Sequence, residues 1–138
     1  MHFLTTFVIP AILGYTAALT LPETAGTHQL QKRKCFATGQ DYGDQYNEAL
    51  HLADQVCSQV FAGEWIRGNK RSICYNTSGG HSVVFTLGLL GPNAGPTRTI
   101  GATECSNGMQ KEVINCGKGG ETTYGNWYYR SVHPLKYS

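Results

Sequence analysis

Seven consecutive residues, Tyr124-Gly125-Asn126-Trp127-Tyr128-Tyr129-Arg130, carry the richest recognition chemistry in the chain. Exposed aromatic rings suit sugars, because the C–H faces of a pyranose stack on a π-surface while Asn and Arg side chains bond its hydroxyls. An extended backbone turns Trp127 and Tyr129 to one side and Tyr128 to the other. One set is expected to pack inside and the other to face solvent. Trp127, Tyr129, Tyr124, Asn126 and Arg130 are the candidate glycan contacts. On residue type alone, the same rings would serve as core or as a dimer contact. A second set, His81, Glu64, Arg98 and His133, offers the base, acid and phosphate-holding cation that RNA cleavage needs. No spacing obliges those four to meet, and His51 reads as structural on a helix. Gly-x-Ser-x-Gly, His-Glu-x-x-His and the phosphate loop are all missing, so no enzyme is expected.

Elements that could position such groups must be held in a small chain of 138 residues. Residues 3–19 contain no charge, and their apolar run is broken by Pro10 and Gly14 before the small residues at Ala17-Ala18. This is the pattern of a signal peptide over 1–18, too short and too interrupted for a membrane span. A polar stretch then leads to Lys32-Arg33, a dibasic pair suited to a processing protease, so 19–33 reads as a pro-segment. The remaining residues, 34–138, make one domain. Starting from eleven basic and nine acidic residues, removal of Glu23, Lys32 and Arg33 leaves nine against eight. That near-neutral product gives no electrostatic reason to expect nucleic acid or, once the signal is removed, a membrane surface as partner.

All five cysteines (Cys35, Cys57, Cys74, Cys105, Cys116) fall within 34–138. That placement favours disulfides in an oxidising, extracellular compartment, with one thiol left over. No Cys-x-x-Cys or Cys/His ligand spacing occurs, so neither metal nor cofactor is expected. Asn76-Thr77-Ser78 is an N-glycosylation sequon at a turn.

Hydrophobic spacing predicts a helix from about Asp44, as N-cap, to Phe61, with Cys57 on its buried face. A second helix follows Thr103, with Cys105, Met109, Val113 and Cys116 on one face and Gly117 as C-cap. Cys105 and Cys116 are ~16 Å apart along a continuous helix, too far to pair, so both must reach other elements. Strands are expected at Cys35–Thr38, Ser72–Asn76, Ser82–Leu90 and Trp127–Val132, with Gly79-Gly80 turning a hairpin. Gly91–Pro96 and Gly117–Gly120 read as loops. The fold class is α+β: an antiparallel β-sheet flanked by two main helices and stabilised by disulfides.

Several segments occur together in order: Cys35-Phe36-x-x-Gly39, Val56-Cys57, Ser72-Ile73-Cys74-Tyr75-Asn76, Glu104-Cys105, Met109-Gln110-Lys111-Glu112-Val113, Cys116-Gly117-Lys118-Gly119-Gly120 and Trp127-Tyr128-Tyr129-Arg130. Together they resemble a family of small secreted fungal glycan-binding domains typified by a lectin of the ink-cap mushroom. The resemblance implies carbohydrate binding without catalysis, by a domain of which two copies are able to join edge to edge into a wider sheet as a homodimer. Similar domains occur among candidate effectors of plant-associated fungi. The family pattern closes with Asp-Pro-Asn and a sixth cysteine. This chain ends instead Ser131-Val132-His133-Pro134-Leu135-Lys136-Tyr137-Ser138, which accounts for the odd cysteine. The leading expectation is thus a secreted, lectin-like glycan binder acting at a host or fungal cell surface. The alternative is a secreted effector or toxin-like protein that binds a host protein through a patch around Trp65, Arg67, Lys70 and Arg71. A small secreted ribonuclease ranks third.

Overall fold

The computed structural model describes residues 32–134. The segments expected to be a signal peptide and most of the expected pro-segment, with the last four residues, lie outside the described residues.

Apolar spacing shapes the helical part. A 3-10 turn at Gly43–Gln45 leads into α1 (Tyr46–Val56), and a π-helical turn at Cys57–Phe61 ends it. Ala49, Ala53 and Val56 fall one turn apart and are fully buried. Asp44 lies within the 3-10 turn, and no side chain caps the helix, which corrects the expected N-cap. Helix α2 (Ala102–Asn115) buries Cys105, Met109 and Val113 on one face. Cys116, not Gly117, is its C-cap and has extended dihedrals, so the glycine cap expected there does not form.

Among the described residues, five strands form one antiparallel sheet in the order β1-β6-β7-β4-β3. They are β1 (Lys34–Cys35), β3 (Lys70–Thr77), β4 (His81–Leu89), β6 (Gly119–Tyr124) and β7 (Trp127–Val132). Strands β2 (Gly63–Ile66) and β5 (Thr97–Ile100) pair separately as a two-stranded ribbon. The expected α+β architecture is therefore present. β7 has the predicted bounds, and the β3–β4 hairpin turns through Ser78–Gly80. Of the segment read as a loop, Gly117-Lys118 form a turn, whereas Gly119-Gly120 begin β6. Gly119 has φ 93°, and a Cβ there would overlap the Ser131 carbonyl, so only glycine lets β6 approach β7 this closely.

Strand alternation separates the two faces. Leu87 stands opposite Tyr129 and Leu89 opposite Trp127, all buried on the helix-bearing face. The other face carries polar rows, including Glu121 opposite Arg130 and Ser72 bonded to Thr86 at 2.7 Å. The core joins this sheet face to α1, α2 and the ribbon residues Trp65 and Ile100.

Two disulfides fix the arrangement. Cys35 bonds Cys116 and Cys57 bonds Cys105, with Cα separations of 5.1 and 5.5 Å. As helix geometry requires, Cys105 and Cys116 reach different partners, and α2 is tethered at both ends. Cys74, half-buried in β3, is the free thiol.

Candidate functional site

The aromatic hairpin is built by a two-residue turn. Gly125 and Asn126 have φ 60° and 72°, as a type I′ turn requires, between the paired residues Tyr124 and Trp127. This turn fixes which residues of β7 point inward. Trp127 is one of them and has no exposed surface. Its ring meets Trp65 edge-on at 5.9 Å. A ring buried in this way cannot stack on a sugar, so Trp127 is core and the expectation that it contacts a glycan is corrected. Tyr129 is 2% exposed and also presents no stacking face. It fits beneath α2 at Gly108, where a Cβ would overlap its ring. Burial, with Glu104 and Tyr124 nearby, pushes its phenol well above the ordinary range.

The other nominated residues divide by what they touch. Asn126 Oδ1 accepts the Asn93 N–H at 3.0 Å and its carbonyl accepts the Gly91 N–H at 2.9 Å, so it anchors the 90–96 loop. Arg130 stacks over Phe36 at 5.0 Å on the polar face and approaches Glu121 at 3.8 Å. Tyr128 on that face donates to Glu121 at 2.6 Å. Tyr124 is the most exposed of the three candidate rings, at 39%, with the Lys111 ammonium 5.5 Å from its centroid.

That ring forms one wall of a pocket of about 520 Å³ between α2 and the β6–β7 hairpin. Glu104, Asn107, Gly108, Lys111, Glu112 and Asn115 line it from α2, and Thr122, Tyr124 and Tyr129 from the strands. Arg33 closes one side. The helix residues recur at three- and four-residue steps, so they form a stripe beside the apolar one, with Glu112 at its buried edge. In sequence this polar stripe is the signal of the pocket, overlaid by the apolar stripe of the same helix. Tyr124 and Tyr129 are thus brought to one pocket, whereas Trp127, Asn126 and Arg130 are not.

Glu112 is the unusual residue of this pocket. It is fully buried, and its Oε2 accepts a hydrogen bond from Arg33 Nε at 3.2 Å. Burial raises its carboxyl above the ordinary range. The Thr122 hydroxyl and Arg33 pull it down, and Glu121 pushes it up. The Thr122 contact is loose: neither its Oγ1 nor Glu112 Oε1 makes a well-formed hydrogen bond among the described residues.

The histidines of the acid–base set do meet, their rings 5.5 Å apart. His133, however, is fully buried, stacked on Tyr42 at 5.0 Å. Its Nδ1 lies 3.0 and 3.1 Å from the Gln40 and Asp41 carbonyls and must therefore carry the proton. Glu64 and Arg98 stand on the β2–β5 ribbon. The four residues are thus divided: His133 is sealed from solvent, His81 is half-buried at the start of β4, and Glu64 and Arg98 belong to the separate ribbon. The expected basic patch changes too. Trp65 is 1% exposed, donates to the Phe61 carbonyl at 2.7 Å and lies under Arg71 at 3.9 Å. Asn76 is exposed near the end of β3.

No protein-family model matches the chain, and comparison with curated proteins finds no match.

Proposed function

We propose that this chain gives rise to a secreted carbohydrate-binding protein whose ligand pocket lies between α2 and the β6–β7 hairpin. The observation that carries the reading is the pocket itself, in which the exposed Tyr124 side chain and convergent polar groups share one lining. Around it, Asn107 and Asn115 offer amide donors and acceptors, Glu104 an acceptor and Lys111 a donor. An aromatic wall with convergent polar groups is the combination that sugars need. The volume falls within the ~300–1,000 Å³ typical of small-ligand sites. The resemblance to fungal glycan-binding domains points the same way. So does the disulfide framework, which suits an oxidising compartment. No helix of the described residues is long and apolar enough to cross a membrane.

The test is a glycan array probed with the oxidised, processed protein beside Tyr124→Ala. Binding to a defined glycan class that the variant loses supports the reading. Equal binding by both overturns this pocket, and no binding overturns the carbohydrate reading.

A host-protein partner is the second reading, favoured by Ile66 and Leu90. These are 60% and 43% exposed and flank the turn that carries Arg67. The Asn69 carbonyl accepts the Leu89 N–H at 3.0 Å and ties that turn to the end of β4. An apolar pair ringed by Arg67 and Lys70 would suit an acidic protein surface. Dimerisation edge to edge would use β3, the long edge strand of the sheet.

A further inference from the structure

The residue that closes the pocket is the second half of the dibasic pair. Arg33 sits immediately before β1, and its guanidinium reaches a carboxylate 79 positions later in the chain. Its side chain is 25% exposed, while that of Glu112 is 1% exposed. A fully buried carboxylate is tolerated only with a partner. Here one oxygen has Arg33, and among the described residues the other, Oε1, has only the loose Thr122 contact.

We propose that Glu112 is the floor of a cation-accepting subsite, filled in the precursor by Arg33 and opened to an external ammonium or guanidinium group when the Arg33–Lys34 peptide bond is cut. A dibasic-specific protease adds water across that bond. Arg33 departs on the released segment with a new carboxylate, and Lys34 gains an α-ammonium. The domain side of the cut stays in place, because Lys34 pairs with Glu121 in β6 and Cys35 is bonded to Cys116. Arg33 then loses the high effective concentration that its tether gave it. What remains is a buried carboxylate at the base of a pocket walled by Tyr124 and Tyr129, with Glu104 also on the lining and the Lys111 ammonium over the Tyr124 ring at the exposed side. Carboxylates beside aromatic rings select cations. The inference rests on the carbohydrate reading only for the identity of its ligand, which becomes a hexosamine with a free amine in place of an N-acetyl group.

The same geometry sets a competition. The Arg33 side chain must leave Glu112 to enter the specificity pocket of the protease, so the ion pair holds the cut back.

The test compares three forms of the oxidised chain by calorimetry in mildly acidic buffer. They are Lys32→Gly, which keeps Arg33 but resists cutting; the chain cut after Arg33; and the cut chain carrying Glu112→Gln. The probes are a glucosamine trisaccharide, its fully N-acetylated counterpart and arginine amide. The cut chain is expected to bind glucosamine trisaccharide at least ~10-fold more tightly than either other form, with arginine amide competing. Arginine amide bound by the cut chain alone, with neither sugar bound, sustains the cation subsite and refutes the carbohydrate reading. Both trisaccharides bound equally by all three forms keeps the carbohydrate reading and overturns the subsite. So does failure of the cut chain to bind any probe overturn the subsite.

Discussion

Cutting after Arg33 should deepen the fall of stability with rising pH that the buried Glu112 carboxyl already imposes, and Glu112→Gln should remove that contribution. Burial already holds the Glu112 carboxyl above the ordinary range, with Arg33 opposing it. Removing Arg33 raises the carboxyl further. Between the unfolded value of about 4.3 and the higher folded one, the native state holds a proton that the unfolded chain has released. Stability therefore declines through that window as pH rises, and is flat below it, where both states are protonated. Breaking a buried pair costs ~3–5 kcal/mol, and the part-exposed Arg33 places this case near ~3 kcal/mol. For a domain of this size that is roughly 12–24 °C in Tm. Thermal unfolding of the uncut Lys32→Gly chain, the cut chain and the cut Glu112→Gln chain, each at acid and at mildly alkaline pH, measures it. The cut chain should match the other two at acid pH and fall below both at alkaline pH. Superimposable pH profiles for the cut chain and its Glu112→Gln variant would refute the reasoning.

Trp127→Ala should lose ~3–5 kcal/mol in denaturant unfolding, the cost of emptying a large core site. Iodide should leave the fluorescence of both tryptophans nearly unquenched; quenching like that of free indole would place a ring outside the core. Gly108→Ala should cost ~1–3 kcal/mol, because the added methyl meets the Tyr129 ring that packs under α2. A variant as stable as the parent would mean that Tyr129 does not lie there. Removing both Cys57 and Cys105 should cost ~2–5 kcal/mol, the usual loss for a native disulfide in a small secreted domain.

Much of the architecture was legible because it rests on periodicity. Ala49, Ala53 and Val56 marked α1, and the alternation of Trp127, Tyr129 and Ser131 marked β7. The impossibility of a Cys105–Cys116 bond followed from helix rise alone, and the observed pairings agree with it. Three strands escaped notice. β6 opens with Gly119-Gly120, which carries the signature of a loop, yet those glycines are there because Ser131 and Cys116 crowd the strand. β2 and β5 are four residues each, and each is explained only by the other. The site was harder to read. Tyr124, Trp127 and Tyr129 carry similar chemistry in sequence. What separates them is the inward direction of alternate residues on β7 and the tertiary cover of Trp65 and α2.

The role of α2 follows from how its two faces are used. Its apolar stripe is locked into the core and its ends are tethered through Cys105 and Cys116. A helix held in this way loses little further freedom when a ligand binds its other face, so contacts there are made at low entropic cost. Glu112 lies at the boundary between the faces: buried with the core residues, yet lining the pocket. A neutral glutamine would fill that position without needing a cation. A carboxylate there makes the pocket answer to whatever positive charge is present, and in the uncut chain that charge is on Arg33, the second residue of the dibasic pair.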